Sequence, residues 1–108
     1  MCVYKIEEIA EKVRPIAERY GVGKIYLFGS YARGEATEES DIDLLVDSRN
    51  VHGFKLGGLF VDLEDALEKE IDLVTFSQFE QNRNNPINMN FVREVEKERR
   101  VIYDESFI

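Results

Sequence analysis

The chain is 108 residues long, 44% hydrophobic and 33% charged, which is the composition of an ordinary globular protein. That length predicts a single domain over residues 1–108, able to bury a core without disulfides but too short for a separate substrate-binding domain. The formal net charge of −8 argues against extended binding to a nucleic-acid backbone, and no apolar run approaches the roughly 20 residues that span a bilayer.

The first predicted element is an amphipathic helix over residues 3–20, because its apolar residues recur on one helical stripe. Acidic residues run through this segment, and it lacks the basic start and apolar block of a secretory signal. A cytoplasmic protein is therefore expected. Cys2 is the single cysteine, which excludes an internal disulfide and a thiolate metal cluster.

Two strands joined by a glycine-containing turn are predicted next. A compact apolar run at residues 24–28 predicts a buried strand that leads directly into Gly29. Ser30 is placed to cap a short helical turn, which Gly34 closes. Residues 41–47 predict the second strand, with Ile42, Leu44 and Val46 on one face and Asp41, Asp43 and Leu45 on the other.

The second half of the chain continues the alternation of helices and strands. Residues 48–58 predict a loop that leads into an amphipathic helix ending near Leu67, and residues 70–76 predict a third strand. A loop or an interrupted helix at 78–90, a resumed helix and a last strand at 100–103 complete the order. The sequence thus predicts a small α/β or α+β domain with helices packed on a short mixed sheet.

Two aspartates on the second predicted strand form the first candidate site. Asp41 and Asp43 are spaced i, i+2, so both side chains point to one face of a strand. Like charges placed side by side repel each other, and a cation relieves that repulsion. Carboxylate oxygens suit Mg²⁺, which typically takes only one or two protein carboxylates and fills its shell with water and substrate phosphate.

A third carboxylate, Asp72, lies on the next apolar strand. If that strand lies beside the second, the alternation allows Asp72 next to Asp43 and Val74 next to Leu45. Three converging acids can hold two metal ions roughly 4 Å apart. Glu70 shares the face of Asp72 and would replace it as a ligand in a different register.

Phosphate binding is predicted at the turn after the first strand. Gly29 and Ser30 follow a strand and open a helical turn, where backbone N–H groups converge and the serine adds a hydroxyl donor. Arg33 either approaches a triphosphate as a bidentate donor or pairs with Glu35 or Glu38 at the surface, and the sequence leaves both open.

Other polar residues predict surface positions. His52, the single histidine, has no second histidine with which to form a metal site. The charge run at residues 94–100 predicts a solvated helix face with i, i+4 pairs.

The segment from Gly29 to Val46 contains Gly-Ser, Ala-Arg-Gly and Ser-Asp-Ile-Asp-Leu in this order. It resembles the nucleotidyltransferase signature of the DNA polymerase β superfamily, specifically of its minimal nucleotidyltransferase (MNT) branch. The first helix, the strand of Asp72 and the C-terminal helix and strand also fit that family's small domain. The resemblance implies a polymerase β-like nucleotidyltransferase fold.

The resemblance also implies roles for the candidate residues. Ser30, in the turn with Gly29, would contact the terminal phosphates of ATP. Asp41 and Asp43 would bind Mg²⁺, with Asp72 completing the metal site and helping to activate the acceptor hydroxyl.

Small members of this branch pair with a HEPN-domain toxin, so the resemblance implies an antitoxin that transfers AMP from ATP to a tyrosine of that toxin. One alternative is an antitoxin that binds nucleotide but neutralises its partner by binding alone. A small-molecule nucleotidyltransferase would need an added domain for its acceptor. A glycosyltransferase that uses a nucleotide sugar does not require the upstream Gly-Ser turn.

Overall fold

The computed structural model describes residues 3–48, 51–83 and 85–107. Helices and strands alternate along most of the chain, as the sequence predicts. In order they are α1 (Ile6–Tyr20), β1 (Lys24–Phe28), α2 (Ser30–Arg33), β2 (Ile42–Asp47), α3 (Phe54–Leu67), β3 (Ile71–Thr75), α4 (Phe76–Arg83), a 3₁₀ turn (Pro86–Asn88), α5 (Met89–Glu98), β4 (Arg100–Asp104) and a second 3₁₀ turn (Glu105–Phe107).

The four strands form one mixed sheet in the order β3-β2-β1-β4, which confirms the predicted fold class. β1 runs antiparallel to β2 and β4, whereas β2 and β3 are parallel. Phe28 at the end of β1 pairs with Asp43, and Asp43 pairs with Asp72 near the start of β3. Three strand ends with chemically useful residues therefore meet at one edge of the sheet.

Helices cover both faces of this sheet. α1 and α3 bury the larger core against one face, and the strand residues in that core include Ile42, Leu44 and Val46. On the other face, Leu45 and Phe28 pack against Phe79, Val92 and Val95 from α4 and α5. Because side chains alternate along a strand, Asp43 lies on the face of α4 and α5. Within the described ranges, every helix is too short or too polar to cross a membrane.

The segment predicted as a loop or an interrupted helix is an interrupted helix. α4 begins directly after β3, where the Thr75 N–H donates to Gln78 Oε1 at 3.0 Å and the Gln78 N–H donates to Thr75 Oγ1 at 3.2 Å. This reciprocal pair caps the helix start. Pro86 then begins the 3₁₀ turn that separates α4 from α5.

Several element boundaries differ from the predicted ones by a few residues. α1 begins at Ile6, where the Lys5 N–H donates to Glu8 Oε1 at 2.8 Å and ends the preceding extended segment. β2 begins at Ile42 and β3 at Ile71, each one residue later than predicted. The predicted loop at 48–58 gives way to α3 at Phe54, and its residues 49 and 50 lie outside the described ranges.

Candidate active site

Gly29 brings the backbone of β1 against the carboxylate of Asp43. Its φ of 76° and ψ of −155° lie in a region that is open essentially to glycine alone. A Cβ at this position would also collide with Oδ2 of Asp43. Glycine is therefore required here for two independent reasons, the backbone conformation and the close approach of a side chain.

Ser30 is the first residue of α2, and the N-cap position belongs to Gly29. The prediction that Ser30 caps this turn is therefore wrong. The Ser30 hydroxyl donates no hydrogen bond to any residue in the described part of the chain. It is half-buried at the edge of the sheet, where it can donate to a ligand.

Asp43 and Asp72 lie on adjacent strands in the register that the sequence alternation allows. Asp43 is half-buried, and Asp72 and Asp41 are exposed. Burial, reinforced by the negative charges of Asp72 and Asp41, raises the pKa of Asp43 to about 6, and the nearby Arg33 opposes this effect. The ionised site is therefore electrostatically unfavourable without a cation.

A pair of carboxylates, and not a closed set of three, is what the described residues bring together. Among them, no group of three or more His, Cys, Asp or Glu side chains is close enough to hold a metal ion. Asp41 precedes β2 and lies outside the cavity that Asp43 and Asp72 line. Mg²⁺ takes only one or two protein carboxylates, so the oxygen donors of Asp43 and Asp72 fit this ion. Ligation by all three aspartates stays a prediction.

The two carboxylates open into a cavity of about 420 Å³ at this edge of the sheet. One wall comes from the strand ends and α2, and the opposite wall comes from α5. The lining residues are Phe28, Gly29, Ser30, Arg33, Asp43 and Asp72 on the first wall and Phe91, Glu94, Val95 and Glu98 on the second.

Arg33 lines this cavity and pairs with two carboxylates. Its Nε donates to Glu35 and its Nη1 to Glu98, each at 2.8 Å, and both bonds raise the pKa of the guanidinium. Pairing with Glu35 was one of the two alternatives that the sequence left open, whereas the second partner is Glu98 and not Glu38. Its place in the cavity keeps the other alternative, contact with a triphosphate, as a prediction.

The acidic wall of α5 is the part of the site that the sequence interpretation missed. A solvated helix face was predicted for residues 94–100, but the Glu98 side chain is only 13% exposed and its partner is 65 residues away. The prediction is therefore wrong for Glu98. One signal was available, because Phe91, Glu94 and Glu98 are spaced i, i+3, i+7 and share a helix face beside the apolar stripe.

The register places Asp72, and not Glu70, beside Asp43 in the cavity. Glu70 is exposed, precedes β3 and does not line the cavity. Asp72→Asn tests the ligand role predicted for Asp72, and we expect it to lower nucleotide transfer by about 100-fold or more through loss of one carboxylate oxygen and a negative charge. Glu70→Gln, the matched control, is expected to stay within about twofold of wild type because that side chain is solvated. If Glu70 is the ligand, Glu70→Gln will show the large loss of transfer and Asp72→Asn the small one.

The sequence matches the family of nucleotidyltransferase domains over residues 6–103. The chain belongs to this nucleotidyltransferase family. A relative from Thermococcus cleftensis, named protein adenylyltransferase MntA, is 39% identical over 77 residues, covering 68% of this chain and 75% of its own length. The family predicted from the Gly29–Val46 segment is thereby confirmed.

Solved structures share the fold of this nucleotidyltransferase. A toxin–antitoxin complex with AMP-PNP matches with a TM-score of 0.64 and 23% identity, covering 88% of this chain and 73% of that one. The complex of a tri-AMPylated Shewanella oneidensis HEPN toxin with its MNT antitoxin matches with a TM-score of 0.61 and 19% identity, covering 94% of this chain and 74% of the other. These similarities confirm the predicted nucleotidyltransferase fold.

Proposed function

We propose that this nucleotidyltransferase transfers AMP from ATP to a tyrosine hydroxyl of a HEPN-domain toxin and so acts as its antitoxin. One observation carries the proposal: the register places Asp43 beside Asp72, in one cavity with the Gly29–Ser30 turn. A paired-carboxylate site next to a free serine hydroxyl and a backbone turn suits metal-assisted transfer of a nucleotide.

The relatives support the acceptor class. The Thermococcus cleftensis relative is named a protein adenylyltransferase. The Shewanella oneidensis structure contains an AMPylated HEPN toxin bound to an MNT antitoxin, and another complex of the same fold contains AMP-PNP. Asp72 is exposed at the edge of the cavity, so the side chain of a partner protein can approach the site.

The residues of the cavity divide the work of the transfer. Ser30 would donate a hydrogen bond from its hydroxyl to a terminal phosphate oxygen, and Asp43 and Asp72 would supply the oxygens that hold Mg²⁺, with Asp41 exposed beside them. When bound there, Mg²⁺, as one ion or two, would supply positive charge to the phosphates and to the leaving pyrophosphate. The acceptor oxygen bonds to the α-phosphorus, the bond to the β-phosphate oxygen breaks, and Asp72 accepts the hydroxyl proton.

Labelled ATP tests this function directly. The chain is incubated with Mg²⁺, ATP labelled at the α-phosphate and a co-expressed HEPN-domain partner, and the Asp41→Asn/Asp43→Asn double variant is run in parallel. We expect label on the partner only with the wild-type chain, and none on a partner whose acceptor tyrosine is phenylalanine. Equal labelling by wild type and double variant would refute the metal-site assignment.

Neutralisation of the toxin separates catalysis from binding. The double variant is expected to lose protection of cells that express the partner, because transfer needs the carboxylates. Full protection by the double variant, despite absent labelling, assigns the antitoxin effect to binding alone.

A further inference from the structure

The guanidinium of Arg33 is hydrogen-bonded to two carboxylates. Nε donates to Glu35 and Nη1 to Glu98, each at 2.8 Å. A guanidinium carries five N–H donors in a rigid fork, so two bonds leave most of its donors available. Nη2 in particular donates to no residue within the described ranges.

The carboxylates that pair with Arg33, those of Glu35 and Glu98, differ in exposure. The Glu35 side chain is 66% exposed, whereas that of Glu98 is 13% exposed. An ion pair shielded from water is screened less than an exposed pair, so Glu98 restrains the guanidinium more strongly. Glu98 comes from the far end of the chain, and it therefore ties α5 to the turn after β1.

Arg33 and Ser30 lie on the same face of α2 and line the same cavity. They are the last and first residues of the four-residue helix α2, and residues spaced i, i+3 share a helix face. Both line the cavity of Asp43 and Asp72, and Arg33 is the single basic residue among its described lining residues. A planar fork with free N–H groups next to a hydroxyl donor fits phosphate oxygens.

Taken with the proposed nucleotide site, on which this inference rests, these contacts define a role for α5. We infer that Glu98 is a positioning residue: with Glu35 it holds Arg33 so that the free edge of the guanidinium binds the triphosphate of the nucleotide. Glu35 and Glu98 therefore orient Arg33 and do not compete with the phosphate groups for it. A held guanidinium loses less side-chain entropy when phosphate binds, and affinity rises accordingly.

Equilibrium binding of Mg²⁺ with AMP-PNP, measured by calorimetry and compared with AMP, tests the inference without any transfer. We expect Arg33→Ala to weaken AMP-PNP binding by about 10-fold or more and AMP binding by less than about twofold. Glu98→Gln is expected to weaken AMP-PNP binding by about three- to tenfold, and to have no further effect on the Arg33→Ala background.

A matched control separates positioning from general charge. Glu96→Gln removes the same charge from the same helix, but Glu96 pairs with Arg83 at 2.6 Å and does not line this cavity. It is expected to change AMP-PNP binding by less than about twofold. Thermal melts establish that each variant is folded, and Arg33→Gln replaces Arg33→Ala if the alanine variant unfolds.

Several results would overturn the inference. Tighter AMP-PNP binding by Glu98→Gln means that the carboxylate competes with phosphate for Arg33. An undiminished effect of Glu98→Gln on the Arg33→Ala background, or an equal effect of Glu96→Gln, means that Glu98 does not act through Arg33. Failure of wild type to bind AMP-PNP also overturns it.

The inference and the proposed function fail separately. A chain that binds AMP-PNP through Arg33 but labels no partner retains the positioning role and loses the proposed transfer. A chain that labels its partner but whose AMP-PNP affinity is unchanged by Arg33→Ala retains the proposed transfer and loses the positioning role.

Discussion

Replacing Asp43 with asparagine is expected to abolish nucleotide transfer and, at the same time, to stabilise the metal-free fold. The loss of transfer, by about 100-fold or more, follows from the proposed role of Asp43, which lines the cavity, as a metal ligand. The gain in stability follows from the pKa of Asp43, which burial and the neighbouring Asp72 and Asp41 raise to about 6.

The direction of the pH dependence follows from proton linkage. The folded chain holds the Asp43 proton more tightly than the unfolded chain, whose aspartates have a pKa of about 3.9. Its contribution to stability is therefore complete below about pH 4 and is lost as the pH rises through about 6. Each pKa unit corresponds to about 1.4 kcal/mol, and solvent screening at this half-buried site reduces the total to roughly 1–2 kcal/mol.

Urea unfolding at pH 5 and pH 8 without Mg²⁺ measures this effect. Asp43→Asn is expected to unfold with a larger free energy than wild type at pH 8, and the difference is expected to shrink at pH 5. Asp65→Asn is the matched control, because Asp65 is exposed on α3, which packs on the sheet face opposite to Asp43. An Asp43→Asn chain that is less stable than wild type at pH 8 contradicts the electrostatic account of the site.

Gly29→Ala is expected to damage both stability and transfer. The Cβ of an alanine at position 29 collides with Oδ2 of Asp43. The alanine also has to adopt the φ of 76° and ψ of −155°. We expect a stability loss of about 2–4 kcal/mol from strain and collision together. Transfer should fall by about 100-fold or more, because relief of the collision displaces the carboxylate from its place in the cavity.

Gly34→Ala is a milder comparison, because Gly34 has a ψ of 22° and lies in the left-handed region that alanine adopts at modest cost, whereas Gly29 has a ψ of −155°. Gly34 also has a φ of 76°, at the other end of α2, but a Cβ there meets no described atom within 4 Å. Its substitution is expected to cost only about 1 kcal/mol and to leave most of the transfer activity. Similar losses of stability and activity in both variants would mean that contact between Gly29 and Asp43 has no special role.

The catalytic edge of the sheet was accessible to sequence reasoning because its information is local. Strand periodicity of two assigns Asp43 and Leu45 to one face and Asp72 and Val74 to one face, which allowed the register that the structure has but left Glu70 open as the alternative. Gly29 and Ser30 were recognisable as a turn for the same reason. The prediction that Ser30 is the N-cap was wrong by one residue, because Gly29 occupies that position.

By itself, the sequence therefore determined the family and the order of elements, and it allowed the pairing of Asp43 with Asp72 without excluding Glu70; the structure shows that Asp72 is the partner. Only the tertiary structure decided that α5 forms the second wall of the cavity and that Glu98 holds Arg33 across 65 residues. The physical reason is that helical periodicity shows which face of a helix is apolar but not which sheet face will bury it. A charge on that helix can then be solvated or held in a site, and its long-range neighbours alone determine which.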